Sequence, residues 1–178
     1  MQNVSLRPIT VEDATSVQLY ASDARLAATC NVPYPYPSNG GQVFVERCIH
    51  ARESRQRFPH AILLDGQFVG VIGLNLPDFT NLTAEVDYWL AVPFWGQGIM
   101  TQAVGLVAGV AFKELGFCRL FSGCWSKNPA SCRVLEKNGF TEISSIVNDG
   151  HFGQKFAGET IRRFTLSYDE WQRHMTTA

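Results

Sequence analysis

Glu85 and Asp87 stand two residues apart in Glu85-Val-Asp-Tyr-Trp-Leu90, a spacing that puts both carboxylates on one face of a strand. A carboxylate placed there can take a proton from an ammonium, directly or through water. Partial burial beside Tyr88 or Trp89 would raise its pKa toward a useful range. The same spacing also suits a solvated strand end, so Glu85 is the candidate general base with Asp87 behind it. A few residues on, Trp95-Gly-Gln-Gly-Ile-Met-Thr101 reads as a tight turn opening a helix. The backbone N–H groups of Gln97, Gly98, Ile99, Met100 and Thr101 would point outward there, with the positive end of the helix dipole behind them. Gly96 and Gly98 would let main chain approach a phosphate without a Cβ in the way. The segment predicts a site for a phosphorylated cofactor.

Two familiar phosphate motifs do not fit. A dinucleotide fingerprint needs a third glycine where Thr101 stands, and this turn falls mid-chain after an antiparallel hairpin. A nucleotide-triphosphate loop needs Gly-Lys-Ser/Thr at the helix start, which is missing. Further along, Asn128-Pro129 opens another helix, with asparagine as cap and proline at the first helical position. Ser131 lies in its first turn. No histidine marks Cys124 or Cys132 as a nucleophile, so both read as core thiols.

The elements that must position these residues follow from punctuation and periodicity. Val4 to Ile9 reads as a strand, and Thr10 with Asp13 as a capping box on a helix running to Tyr20. The proline-tyrosine stretch from Asn31 to Gly41 must be loop, with Tyr34 and Tyr36 exposed. A helix is expected from Gln42 to Arg55. Strands follow at His60 to Leu64 and Gln67 to Leu76, turned at Asp65-Gly66. Then come a strand from Thr83 to Val92, a largely buried helix from Ile99 to Leu115 and a strand from Cys118 to Trp125. The helix begun at Asn128 ends at Asn138-Gly139. Two strands (Phe140 to Val147, Glu159 to Leu166) flank the loop from Asn148 to Gly158, and a helix at Tyr168 to His174 closes the chain. The order describes one α/β domain with a mixed sheet.

The 178 residues suit a single domain, 1–178, with an ample core. A formal net charge of -1 without a basic run argues against nucleic acid as the main partner. No apolar stretch is long enough for a membrane span, and Met1 to Arg7 lacks the apolar region of a signal peptide. The four histidines (His50, His60, His151, His174) are scattered, which predicts no metal site. Five cysteines at spacings that suit neither a metal site nor a disulfide framework read as reduced thiols in a cytoplasmic protein.

Three blocks carry a family resemblance: Ala84-Glu-Val-Asp-Tyr-Trp-Leu90, Phe94-Trp-Gly-Gln-Gly-Ile-Met-Thr-Gln-Ala103 and Asn128-Pro-Ala-Ser-Cys-Arg-Val-Leu-Glu-Lys-Asn-Gly-Phe140. Together they resemble the GNAT superfamily of acetyl-CoA-dependent N-acetyltransferases, most closely the RimJ/RimL-like branch that acetylates ribosomal-protein N-termini. The family's phosphate turn is usually Gln/Arg-x-x-Gly-x-Gly/Ala. Here Trp95 replaces the first residue, Gly98 is kept, and Met100 replaces the small one. The resemblance implies a mostly antiparallel seven-stranded sheet with helices on both faces and two parallel central strands that splay. The pantetheine arm would enter between those strands and pair with backbone from Leu90 to Val92, with the Leu90 N–H as oxyanion donor. It also implies that Asn128 bonds the arm, in competition with its capping role, and that Ser131 lies near the sulfur as a proton donor. Acetyl-CoA would be the co-substrate and a primary amine the acceptor. Loops 33–37, 77–82 and 148–158, with Tyr34, Tyr36, Phe79, Phe152 and Phe156, would form the acceptor groove. A peptide N-terminus and a small-molecule amine both fit such a groove, and the assembly state is left open.

Overall fold

The hairpin expected at Asp65-Gly66 forms, with both residues at positive φ (49° and 85°), and it starts the central sheet. The computed structural model describes residues 3–150 and 152–177, so His151 lies outside the described residues. The strands are β1 (Val4–Pro8), β2 (Phe58–Leu64), β3 (Gln67–Asp78), β4 (Thr83–Leu90), β5 (Arg119–Trp125), β6 (Thr141–Val147) and β7 (Thr160–Ser167). They form one seven-stranded sheet in the order β1-β2-β3-β4-β5-β7-β6. The β4–β5 pair is parallel and its neighbours are antiparallel. The mixed sheet implied by the three sequence blocks is therefore present.

Helices cover both faces. On one lie α1 (Ala14–Ala21), the short α2 (Ala24–Ala27) and α3 (Gly40–Glu53). There Val17 and Val45 pack against Ala61, Phe68 and Val71. On the other lie α4 (Ile99–Gly109), α5 (Pro129–Lys137) and α6 (Tyr168–Thr177). Val104, Val107, Leu135 and Trp171 meet Ile72, Leu74, Val86 and Leu120 in that larger core. Alternation along the strands supplies both cores, because successive side chains point to opposite faces.

The sequence expectations are corrected at several points. The strand expected to reach Val92 stops at Leu90, because Pro93 cannot donate to a ladder and Val92–Phe94 instead forms a 3-10 turn. The α-helical part of α4 ends at Gly109 and continues to Glu114 with π-type bonding. Helix α2 was not expected; the Asp23 carboxylate caps it by accepting the Arg25 N–H. Tyr36 is half-buried, stacked over Gly40, whereas Tyr34 is exposed. Cys124 and Cys132, expected as thiols, are joined to each other. The chain turns back from β5 into α5 and brings their Cα atoms to 5.9 Å, a closeness that linear spacing does not reveal. Cys30, Cys48 and Cys118 are free thiols.

The capping box ties β1 to α1. Arg7 donates to both Asp13 carboxylate oxygens at 2.7 Å, and the Thr10 N–H donates to Oδ2 at 2.9 Å. Burial alone would push the Asp13 carboxyl up, but the Arg7 and Thr10 hydrogen bonds outweigh it and hold its pKa below the usual range. A depressed carboxyl stabilises the fold above its unfolded pKa, and that contribution is lost as pH falls through the folded value. Asp13→Asn is therefore expected to cost about 2–3 kcal/mol at pH 7, as for a lost charged hydrogen bond. At about 2–4 °C per kcal/mol, the midpoint should fall by about 4–12 °C. Thermal melts should show the gap to wild type narrowing below pH 4. A gap that does not change with pH would refute this linkage.

Candidate active site

Strands β4 and β5 pair only at Thr83–Arg119, Ala84–Leu120 and Glu85–Phe121, and then part. At the point of divergence the Ser122 hydroxyl donates to the Val86 carbonyl at 2.9 Å, a side chain standing in for the missing ladder bond. β5 is held away by β7, to which it pairs along its whole length from Arg119 to Trp125. The phase of the β3–β4 ladder follows from one bond, Ala91 N–H to Val69 carbonyl at 2.8 Å. Bonded and non-bonded pairs alternate in an antiparallel ladder. Asp87 and Trp89 therefore turn their backbone groups to β3, and Tyr88 and Leu90 turn theirs into the gap. The Leu90 carbonyl is taken by the Trp95 indole N–H at 2.6 Å, which pins the next turn to the strand end.

In that turn Gly96 and Gly98 have φ of 76° and 77°, and open space lies where a Cβ would stand at either. The left-handed backbone, more than crowding, is thus what calls for glycine. Helix α4 starts immediately after Gly98, with the Gln102 N–H bonded to the Gly98 carbonyl at 3.2 Å. The N–H groups of Ile99, Met100 and Thr101 have no acceptor within the helix, as at any helix start. Ile99 and Met100 bury their side chains in the core, which anchors the turn. The Asn138 amide donates to the Thr101 carbonyl at 3.1 Å and the Val134 carbonyl at 2.8 Å, latching α5 beside α4. Arg133 and Lys137, one turn apart on α5, face the same space.

That space is a cavity of about 1040 Å³ that runs from residues 95–101 along the gap to Glu85, Asp87 and the loop before α3. Leu90, Gln97, Gly98, Ile99, Met100, Thr101, Asn128 and Ser131 all line it; Val92 lies outside the lining. Tyr36, Phe152 and Phe156 also line it, but Tyr34 and Phe79 do not. β3 runs on to Asp78 and carries its turn to the far end of the sheet, where Phe79 packs on Phe58 and Phe117. The loop at 77–82 is thus removed from the expected groove.

At the apex of the gap, Glu85 pairs with Arg163 (Nη2 to Oε1, 3.1 Å) and Asp87 with Arg57 (Nη2 to Oδ2, 3.2 Å). Arg57 Nε also donates to the Asn75 side-chain oxygen. Gly73 lies opposite Asp87, where a Cβ would stand 3.0 Å from Oδ1 and crowd this carboxylate. More than half of the Asp87 side chain is open to the cavity, yet the walls around it push its carboxyl up; Arg57 and Asn75 oppose that shift, and the charge on Glu85 adds to it. Arg163 stacks over the Phe152 ring at 4.8 Å.

The opposite wall is α5. Asn128 accepts the Ser131 N–H at 3.2 Å as its cap and donates to the Thr29 carbonyl at 3.4 Å, so its side chain already has partners on two sides. Tyr88 crosses the gap: its hydroxyl lies 3.0 Å from Ser131 Oγ and 3.1 Å from the Ser131 carbonyl. Two further loops border the cavity. The Lys155 ammonium reaches the carbonyls of Ala27, Cys30 and Val32, and the Asn31 amide donates to the Phe152 carbonyl at 2.8 Å. Arg57, Asn75, Tyr88, Ser122, Arg133, Lys137 and Arg163 were not foreseen as site residues. Tyr88 alone had a signal in the sequence, its position between the two carboxylates and Leu90.

The chain matches the Acetyltransferase (GNAT) domain over residues 3–141. It is 38% identical over 111 residues to YdaF of Bacillus subtilis, whose own description as a ribosomal N-acetyltransferase is provisional; the match covers 62% of this chain and 60% of that protein. It is 33% identical over 92 residues to the ribosomal-protein-serine acetyltransferase of Escherichia coli, covering 52% of this chain and 50% of that one. The chain thus spans little more than half the length of these relatives. Mycobacterium smegmatis RimJ, solved with CoA-disulfide, superposes with a TM-score of 0.82 at 22% identity, covering 98% of this chain and 88% of that one. The same fold houses a Vibrio cholerae spermidine N-acetyltransferase. With the family domain matched over most of its length and the parted strands in place, the chain belongs to the GNAT acetyltransferase family.

Proposed function

We propose that this protein transfers an acetyl group from acetyl-CoA to a primary amine, and that the amine is the α-amino group of a polypeptide. The observation that carries the reading is the wedge between β4 and β5, whose free backbone groups connect the turn at residues 96–101 to the carboxylates at its apex. The α4 amides, with Arg133 and Lys137 beside them, suit the phosphates of the coenzyme. Tyr88 and Leu90 offer N–H groups to the pantetheine arm and to the thioester oxygen as it gains charge. Asn128 would reach the arm with the donor capacity left after its capping bonds. Acetyl-CoA supplies the activated acyl group; the protein holds it and takes a proton from the amine.

The amine must lose a proton before it attacks. Glu85 and Asp87 both face the acceptor side of the cavity. Asp87 takes the proton, because its surroundings disfavour its charge, while Glu85, paired with Arg163, stands beside it on the path of the incoming amine. An α-amine suits this arrangement: about one in ten is already neutral at pH 7, against about one in 2,500 for a lysine-type amine. The ribosomal-protein relatives agree with it.

A thiol-release assay with acetyl-CoA should therefore show turnover on free-N-terminal peptides well above that on lysine, spermidine or Nα-blocked peptides. Preference for a polyamine would move the acceptor to small molecules, and CoA binding without turnover on any amine would make the chain a binding module. Asp87→Asn should lower kcat by about 100-fold or more, in the range for loss of a general base, with the KM for acetyl-CoA little changed. Glu85→Gln should lower turnover at pH 7 without changing CoA affinity; wild-type rates in either variant would remove that residue from the mechanism. Turnover should rise with pH through a midpoint above the ordinary carboxylate range, because Asp87 is shifted upward.

A further inference from the structure

Ser131 and Tyr88 meet across the gap, one from the first turn of α5 and one from β4, on the α4–α5 side of the sheet. Both line the cavity beside Leu90 and Asn128. The Tyr88 hydroxyl has one proton and two acceptors within reach, Ser131 Oγ at 3.0 Å and the Ser131 carbonyl at 3.1 Å. If it donates to the carbonyl, the serine proton points back to the tyrosine. If it donates to Oγ, the serine proton is free to point into the cavity. An anion arriving beside Ser131 needs a donor and so selects the second arrangement.

We infer that Tyr88 is a positioning residue for the leaving group: its hydroxyl donates to Ser131 Oγ and thereby turns the Ser131 O–H toward the departing sulfur of CoA. This rests on the acetyl-CoA reading. As the amine nitrogen bonds to the acyl carbon, the carbon–sulfur bond breaks, its electron pair stays on sulfur, and the nitrogen gives its second proton to water. The Ser131 O–H then meets a thiolate, while Tyr88 replaces the hydrogen bond that Ser131 would otherwise have to accept elsewhere. Water later supplies the proton that makes the free thiol. Burial pushes the Tyr88 hydroxyl up to about 12, which keeps it protonated, and a donor, across the working pH range. By donating to Oγ, the tyrosine directs the serine proton away from itself.

The test compares binding of CoA with binding of desulfo-CoA, which lacks the sulfur, by calorimetry at pH 8 to wild type, Tyr88→Phe and Ser131→Ala. Wild type should favour CoA about tenfold, and both variants should lose most of that preference while binding desulfo-CoA as wild type does. In turnover, Tyr88→Phe should lower kcat about tenfold with the KM for acetyl-CoA within twofold. The double variant should be no slower than Ser131→Ala, since Tyr88 acts through that serine, and Ser131→Thr should restore most of the rate. Unchanged discrimination or unchanged kcat in Tyr88→Phe, or a double variant slower by the product of the two effects, overturns the assignment. Failure of wild type to bind CoA or desulfo-CoA would instead overturn the acetyl-CoA reading itself, and the assignment with it.

Discussion

A parallel strand pair that closes for three residues and then opens is the constraint on which the rest of this structure depends. Backbone groups at Tyr88 and Leu90 are turned toward a partner strand that has moved away. An unsatisfied buried amide costs about 1–3 kcal/mol, so such a wedge survives only when its rims are held from outside. β3 holds one rim along β4, and β7 holds the other along all of β5. Ser122 and Trp95 each satisfy one carbonyl near the wedge, Val86 and Leu90 respectively. The remaining donors face a cavity. The sheet therefore contains, as part of its own ladder, a slot that an extended amide-bearing chain can complete as a strand would.

The alternation of β4 then divides the work. Glu85, Asp87 and Trp89 project to the face covered by α1 and α3, whereas Val86, Tyr88 and Leu90 project to the face covered by α4 and α5. Carboxylates and hydroxyl are thus held on opposite sides of a single strand, with its backbone amides between them. On the proposed reading the amine is handled from one face, the leaving sulfur from the other, and the oxygen that gains charge in the plane of the sheet. Each group is placed by regular secondary structure, which holds position better than loops do. Loops border the cavity: Lys155 clasps three carbonyls of the α2 region, and Asn31 reaches the segment around Phe152.

The parts of this site that were legible in the sequence share one property: their signal is local. Gly96 and Gly98 sit at positive φ, Asn128 caps α5, Asp65-Gly66 turns a hairpin, and all are set by a few adjacent residues. The strand and helix order followed from the same punctuation. What sequence could not reveal came from distant contacts. Arg163 meets Glu85 across 78 positions, Arg57 meets Asp87 across 30, and Tyr88 meets Ser131 across 43. The Cys124–Cys132 bond was missed because the reversal between β5 and α5 creates it. The loop at 77–82 was placed wrongly because β3 is longer than its apolar run suggested, and its extra length takes Phe79 away from the cleft.

The two carboxylates show why pairing and chemistry diverge at a site like this. Each has one arginine partner at nearly the same distance, 3.1 and 3.2 Å, so counting ion pairs would treat them alike. Their surroundings differ. Glu85 stands where β4 is still paired to β5, and Arg163, braced on Phe152, approaches it from β7. Asp87 stands where the strands have parted, over Gly73, with a second carboxylate two residues away on the same face. The cavity walls and the neighbouring charge outweigh Arg57 and hold its pKa above the usual carboxylate range, although more than half of the side chain is open to the cavity. On the proposed reading, a carboxylate whose surroundings raise its pKa and that opens onto a cavity is the one placed to accept a proton.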